Sequence, residues 1–533
     1  MAALIPVSTG EPERDTTHYV QAILRSLWLR GDDTALRWRG TSVSARGLHR
    51  DIGLATEGLR RLGVGPGTTV GVLTEANSPL ALTARYAAHL LGATVVYVRS
   101  TNPGPQAPAL PAADQAEILR ETGADLLVVD PANARTGQAA ANLLSPPVRL
   151  AGFGECGAGI PTLTAADVPA DRPAPAHEPD LAVVTYTSGS TGRPKGIRQS
   201  FTGWNSTVLS AYPALRNAGK VTFLVVTPVS HAVGVILDIV LAAGGTVVLH
   251  ERFEPGQTIR AIEAERITGT YMAVPQLYAL LDHHALADTD VSSLRQLMYG
   301  GCPASPERLA QAVRFFGDAL MQNYGTSEGG RITLLGPRDH HSPELLSTVG
   351  RPFPEVDLSV RDPETEQELP PGRTGEVWMK SPNMMSGYVG DPALTARTLR
   401  HGWLRTGDLG HLDAKGYLHL TGRLSDVIKS RATKIHPATV EKALASHEGV
   451  ANAVVYGVRD SDELEHVHAD VALRPGAGCT AEQLRRHVAS VLTPLHVPAR
   501  ITFHAELPLA VSGKVDRRQL RSLAERSAAP DAD

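Results

Sequence analysis

From about residue 35 to 330, short apolar runs of strand length alternate with longer segments whose apolar positions recur at helical spacing: "TVGVLTE" then "LALTARYAAHLLG", "VTFLVVTP" then "GVILDIVLAAGG". That alternation is the pattern of βαβ units around largely parallel sheets with helices on their faces, so the predicted class is α/β. Two connectors, "RSTNPGPQAPALPAADQ" and "VPADRPAPAHEPD", are rich in Pro and Ala. Each proline restricts itself and the residue before it, and both stretches are expected as extended surface loops. From about residue 345 the texture changes to short β-like pieces, "GEVWMKS" and "GYLHL", and then to αβ-patterned segments, "IHPATVEKALASHEGVANAVVYGV" and "AEQLRRHVASVLTPLHVPARITFHAELP". The change predicts a large N-terminal domain over 1–424 and a small C-terminal domain over 426–533, with a hinge near Ser425 inside "GRLSDVIKS". No internal repeat or coiled-coil heptad is present.

Bulk properties narrow the function classes. A chain of 533 residues, 42% of them hydrophobic, exceeds what one core usually organises. A net charge of -4 and a pI near 6.6 give no general attraction for nucleic acid or an anionic membrane, and neither is expected as a partner. Cys156, Cys302 and Cys479 lie far apart with no CxxC spacing, against a zinc site or a disulfide framework, and a reducing cytoplasm fits. The N-terminus lacks a basic segment followed by an apolar core, and no later apolar run approaches the roughly 20 residues that span a bilayer. The protein therefore reads as soluble and unexported, which makes the Asn205-Ser206-Thr207 sequon a chance match. A symmetric dimer is the commonest homo-oligomer, and the sequence itself is silent on it.

The strongest chemical signal is "VVTYTSGSTGRPKGIRQS", residues 183–200. Val183, Val184 and Tyr186 suit a buried strand, and the glycines and proline that follow cannot continue it. The loop leaving at Thr187 carries the hydroxyls of Thr187, Ser188, Ser190 and Thr191, the glycines Gly189, Gly192 and Gly196, and the cation of Lys195. Donors and backbone at close approach are what a polyphosphate requires. It is not a Walker A loop, because Arg193 and Pro194 separate Gly192 from Lys195. The plain alternative is a flexible Ser/Gly turn.

"YTSGSTGRPKG" resembles the signature loop of the adenylate-forming enzyme superfamily, which includes acyl- and aryl-CoA synthetases, peptide-synthetase adenylation domains and luciferases. "TPVSHAVG" (227–234), "YGGCPASPE" (299–307), "QNYGTSEGG" (322–330), "GEVWMKSPNMMSGY" (375–388), "WLRTGDLG" (403–410), "GRLSDVIK" (422–429) and "LPLAVSGKVDRRQLR" (507–521) then follow in family-like order, over roughly 35–521. The resemblance implies parallel-rich sheets packed with helices plus a small β-barrel-like part in the large domain, and a mobile α+β C-terminal domain. It implies an enzyme that joins a carboxylic acid to the α-phosphate of ATP, releases pyrophosphate and passes the acyl group to a nucleophile.

Roles follow from the same resemblance. Thr187, Ser188, Gly189, Ser190, Thr191, Gly192 and Lys195 would embrace the β and γ phosphates. Tyr324 with Gly325 would lie on adenine beside the Gly301-Cys302-Pro303 backbone, and Asn323 near the adenine amine. Alone, Tyr324 reads more readily as a core aromatic. Thr326 would contact the α-phosphate and Glu328 would bind Mg²⁺, a hard cation that prefers oxygen. Asp408 would accept the ribose hydroxyls on its two oxygens; without the family, "TGD" reads as a turn. Arg423 would meet the ribose or phosphates with its permanent charge. Lys514 would bridge the carboxylate and the α-phosphate, and reads alone as a surface charge. His231 would line the acyl pocket, with a satisfied core histidine as the other reading. The remaining histidine pairs, such as His283-His284, have no spacing that converges on one metal.

The sequence departs from the family pattern after the hinge. Ser425 stands where Asp or Lys is usual, and "KSRATKI" carries Ala432 where the family has glycine. Glycine there permits a close approach or positive φ that alanine resists, and in relatives this loop shapes the tunnel for the pantetheine thiol. Transfer to CoA as co-substrate is the first expectation. The alternatives are another acceptor (a carrier-protein thiol, an amine, or nitrite activated for diazotisation of an aryl amine) and a catalytically silent nucleotide-binding protein. Lys514, Glu328 and Asp408 are all present, against the silent reading.

Overall fold

The apolar run "LLVV" at Leu126–Val129 is buried at every position, and "TVGVL" at Thr69–Leu73 at all but the first. Runs buried on both faces can only lie inside a sheet covered by helices on each side. The structure is a computed structural model that describes residues 17–99, 109–163, 177–187, 194–231, 233–430, 433–460, 464–474, 476–508 and 515–528.

By packing, the chain groups into two units, Met1–Asp357 with Met379–Leu404, and Leu358–Trp378 with Arg405–Asp533. In the first unit two large sheets are α/β in kind. One runs in the order Gly387–Tyr388, Lys195–Ser200, Leu181–Thr187, Thr94–Tyr97, Thr69–Leu73, Leu126–Val129 and Arg149–Gly152. Its centre is parallel, and the Leu181–Thr187/Lys195–Ser200 and Lys195–Ser200/Gly387–Tyr388 pairs are antiparallel. The other places Leu320–Thr326, Gln296–Gly300, Gly269–Ala273, Thr222–Val225 and Thr246–Leu249 side by side in parallel, with Gly330–Leu335 antiparallel beyond Leu320–Thr326. The strands and helices expected from "TVGVLTE", "LALTARYAAHLLG", "VTFLVVTP" and "GVILDIVLAAGG" are all present, as Thr69–Leu73, Pro79–Leu90, Thr222–Val225 and Val233–Ala242.

Local chemistry explains where elements begin. Ser78 Oγ accepts the Leu80 N–H (3.2 Å) ahead of Pro79, and Ser200 Oγ accepts the Gly203 N–H (3.3 Å) at the start of Phe201–Asn217. The first Pro/Ala connector ends sooner than expected: Ala112–Thr122 is helical, entered through Pro111 and closed by Gly123 in the left-handed region (φ 61°). Alanines and a Gln-Glu-Arg run favour helix once the prolines stop. Asn205 is buried, its amide donating to Thr17 O (2.8 Å) and accepting the Tyr19 N–H (2.7 Å), which is an internal use for the sequon asparagine.

One ion pair is fully buried in the first unit's core. Arg85 on Pro79–Leu90 and Asp238 on Val233–Ala242 are both fully buried and paired at 2.5 Å. Asp238 also accepts from Tyr86 Oη (2.6 Å) and Trp204 Nε1 (2.8 Å), so both carboxylate oxygens are used.

In the second unit, residues 408–412 of the strand Trp403–Leu412 pair antiparallel with Leu418–Arg423. Further on, Val450–Arg459 pairs antiparallel with Glu465–Leu473, which runs parallel to Arg500–His504. Pro437–Ala445 and Ala481–Val491 pack their apolar sides on this sheet through Val440, Leu444, Leu484 and Val488. The Ile428–Ser430/Thr433–Ile435 hairpin flanks Arg431 and Ala432, which lie outside the described residues. No helix among the described residues is long and apolar enough to cross a membrane.

Candidate active site

The phosphate-loop signature begins and ends on paired strands. Thr187 lies opposite Lys195 in the ladder between Leu181–Thr187 and Lys195–Ser200; Ser188, Gly189, Ser190, Thr191 and Gly192 lie outside the described residues. Lys195 is therefore tethered at a strand start, close to where the loop departs. The segment after Met385 crosses this strand: Ser386 N–H donates to Arg198 O and Val389 N–H to Gly196 O, each at 2.8 Å. A Cβ on Gly196 would stand 2.8 Å from Val389 Cγ2 and 2.9 Å from Tyr186 Cζ, so only glycine lets the crossing strand so close. Tyr388 is thereby set beside Lys195, whose Nζ is 5.8 Å from the phenol ring centroid.

The "QNYGTSEGG" segment forms the end of Leu320–Thr326 and the turn into Gly330–Leu335. The ladder shifts register between Tyr324 and Gly325, and a Cβ on Gly325 would meet Gly330 O at 2.2 Å. Thr326 Oγ1 closes the turn by accepting the Gly329 N–H (2.9 Å). Three further bonds hold the turn. Gln199 Nε2 donates to Ser327 O (2.7 Å), Met385 N–H to Glu328 O (2.7 Å), and Tyr388 Oη to the Glu328 carboxylate (2.9 Å). Burial, with the Glu328 carboxylate beside it, raises the Tyr388 phenol well above its ordinary value, so it stays a donor across the physiological range.

Asn323 faces Gly300 across the parallel ladder, and Gly301, Cys302 and Pro303 follow that strand's end. The Asn323 Oδ1 is buried, and no hydrogen-bond donor among the described residues reaches it. A buried acceptor left this way carries a desolvation cost that an incoming N–H removes, and the exocyclic amine of adenine is such a donor. The residues therefore fit an adenine nucleotide. Tyr324 beside it is half-buried, as either a stacking or a core aromatic requires. His231 sits at the turn ahead of Val233–Ala242, its N–H donating to Pro228 O (3.2 Å) and its carbonyl accepting the Gly234 N–H (2.8 Å).

Among the described residues no three His, Cys, Asp or Glu side chains are grouped to hold a metal ion. A cation at Glu328 would take its other ligands from phosphate and water, which suits Mg²⁺.

In the second unit Asp408 and Arg423 are cross-strand partners in one ladder, and Arg423 Nε lies 3.1 Å from Asp408 Oδ1. The carboxylate is largely buried while the guanidinium is largely exposed. The Asp408 N–H donates to Thr406 Oγ1 (3.0 Å), fixing the backbone beneath it. Lys514 lies outside the described residues.

Of the expected site, the structure brings Lys195, Thr326 and Glu328 together and sets Asn323 and Tyr324 on the same strand as Thr326. Tyr388 and Gln199 were not singled out from sequence. Tyr388 closes a quoted motif, "MMSGY", and Gln199 follows Lys195 by four residues; both read as ordinary strand residues until the crossing is seen.

The AMP-binding enzyme family matches residues 28–389, and the AMP-binding enzyme C-terminal domain matches 439–514. The chain is 34% identical to a feruloyl-CoA synthase of an Amycolatopsis species, over 92% of this chain and 95% of the relative. Its fold is similar to that of the amide bond synthetase McbA from Marinactinospora thermotolerans, with a TM-score of 0.85 and 37% identity over 95% of this chain and 99% of that one. ATP-bound MatB from Rhodopseudomonas palustris matches with a TM-score of 0.83 and 25% identity, over 96% of this chain and 100% of that one. The chain belongs to the AMP-binding, adenylate-forming enzyme superfamily. Within it, the chain is an AMP-forming ligase of the acid-CoA ligase kind.

Proposed function

We propose that the chain converts a carboxylic acid and ATP into an acyl adenylate and pyrophosphate, then passes the acyl group to a thiol, with CoA as the first choice. The observation that carries this reading is the meeting of Lys195 and Glu328 around Tyr388, beside the turn closed by Thr326. In the first step a carboxylate oxygen bonds to the α-phosphorus as the bond to the bridging oxygen of pyrophosphate breaks. Two anions must approach, so the chain's task is positioning and charge neutralisation.

In this reading Thr187, Ser188, Ser190, Thr191 and Lys195 hold the β and γ phosphates, and Gly189 and Gly192 let the backbone approach them. Asn323, Tyr324, Gly325 and the Gly301-Cys302-Pro303 backbone hold adenine. Asp408 and Arg423 hold the ribose, Thr326 the α-phosphate, and His231 lines the acyl pocket. Glu328 is the ligand for Mg²⁺, which when bound neutralises phosphate charge. Lys514 steadies the charge shared by carboxylate and α-phosphate. A hinge near Ser425, between domains at 1–424 and 426–533, belongs to the same reading. In the second step the thiol sulfur bonds to the acyl carbon as the bond from that carbon to the phosphate oxygen breaks, so AMP leaves and the thiol proton passes to solvent.

A second reading has an amine as acceptor, giving an amide. The likeness to McbA, which is named an amide bond synthetase, favours it.

The test is pyrophosphate release with ATP, Mg²⁺ and a panel of aryl and aliphatic acids. Acid-dependent release is expected; orthophosphate alone, or no turnover with any acid, overturns the adenylation reading.

A further inference from the structure

We infer that Tyr388 is a positioning residue that sets the two charged groups of the triphosphate site, holding the Glu328 carboxylate through its hydroxyl and the Lys195 ammonium against its ring. The inference rests on the adenylation reading and adds to it a residue, and a division of labour within that residue.

Tyr388 is itself fixed. Its backbone pairs with Ile197 in the antiparallel ladder, its N–H donates to Thr395 Oγ1 (2.9 Å), and the side chain is 8% exposed. From that fixed point the hydroxyl donates to Glu328 (2.9 Å), a charge-assisted bond that aims one carboxylate oxygen. The ring face meets Lys195 Nζ at 5.8 Å, within the range of a cation–π contact.

Each contact leaves its partner's charge intact. A phenol on a carboxylate orients it without neutralising it, and an aromatic face steadies an ammonium without a counter-anion. A Lys–Glu ion pair would satisfy each ion with the other, whereas a tyrosine between their roles keeps the cation for phosphate and the anion for a metal. Among the described residues, Gln199 and Met385 meet the backbone of the same turn, while the Tyr388 hydroxyl donates to the Glu328 side chain.

The two halves of the side chain can be separated. Tyr388→Phe keeps the ring and removes the hydroxyl; Tyr388→Leu removes both. ATP binding is measured by calorimetry on the full chain, once in EDTA and once with excess Mg²⁺. In EDTA, Tyr388→Phe is expected to match wild type and Tyr388→Leu to bind about two- to fivefold more weakly, the worth of an exposed cation–π contact. With Mg²⁺, Tyr388→Phe is expected to lose roughly tenfold or more, the lower end of what one hydrogen bond to a charged group is worth. Glu328→Gln is expected to lose Mg²⁺-dependent affinity as well, and Tyr388→Phe added to it to cost little more.

A general packing role would weaken binding equally in both conditions, and that result overturns the inference. So does wild-type affinity of Tyr388→Phe in Mg²⁺, or full additivity with Glu328→Gln. If wild type binds no ATP at all, the adenylation reading falls and this inference with it; if wild type binds and the variants do not separate, only the inference falls.

Discussion

At the scale of single residues, the sharpest feature is a buried acceptor with nothing to accept. Among the described residues no donor reaches the buried Asn323 Oδ1, and a ligand's N–H is one donor that would repay its desolvation. In the proposed function adenine would offer an amine there, where guanine would offer a carbonyl. Asn323→Ala is therefore expected to raise KM for ATP by roughly tenfold, the worth of about one hydrogen bond, and to narrow the preference for ATP over GTP. Pyrophosphate release at varied ATP and GTP checks it; an unchanged KM and an unchanged preference would place adenine elsewhere. Asn323 could be singled out because it sits in a quoted motif with strong neighbours. Tyr388 could not, because a half-apolar residue beside a glycine gives the same signal whether it packs in a core or orients a carboxylate. Its role appears only when the ladder from Gly387 to Tyr388 is laid against Ile197 and Arg198, a pairing that spans far too much chain for periodicity to show.

At the scale of elements, periodicity was a good guide to the strands and helices around the site and a poor one to what ties them together. "LALTARYAAHLLG" and "GVILDIVLAAGG" read as buried helices, and each carries one charge that looks out of place, Arg85 and Asp238. Those charges are partners, with Tyr86 and Trp204 completing the shell of Asp238. Two lone charges of opposite sign in two apolar helices were a readable hint, but the pairing needed the third dimension. Burial pushes the Asp238 carboxyl up and the Arg85 charge pulls it back, so the ion pair holds only while both members are present. Asp238→Ala is expected to cost about 3–5 kcal/mol, because it leaves a buried guanidinium uncompensated. Urea unfolding followed by tryptophan fluorescence measures it, with Trp204 as a local reporter; a loss below about 1 kcal/mol, the scale of an exposed pair, would mean the guanidinium finds another partner.

At the scale of the whole molecule, the two half-reactions draw on different stretches of chain, and they were not equally legible. The first depends on motifs that stand together in the sequence as short, distinctive strings, which is why adenylation could be read from them. The second depends on the acceptor, and similarity leaves it divided: the relative named a feruloyl-CoA synthase uses a thiol by name, and the neighbour named an amide bond synthetase makes an amide. One alanine bears on the choice. If Ala432 in "KSRATKI" blocks the close approach that glycine gives relatives on the pantetheine path, Ala432→Gly will speed transfer to CoA and leave transfer to a small amine unchanged, since an amine needs no long channel. The measurement is a single turnover in which ATP and a productive acid form the adenylate, after which CoA or an amine is added and products are followed by mass. A severalfold gain with CoA alone, about 1 kcal/mol of relieved strain, marks the loop as the obstacle and an amine as the acceptor the native chain is built for. Fast thioester formation by the native chain, unaltered by Ala432→Gly, removes the loop from the argument and leaves CoA as the acceptor.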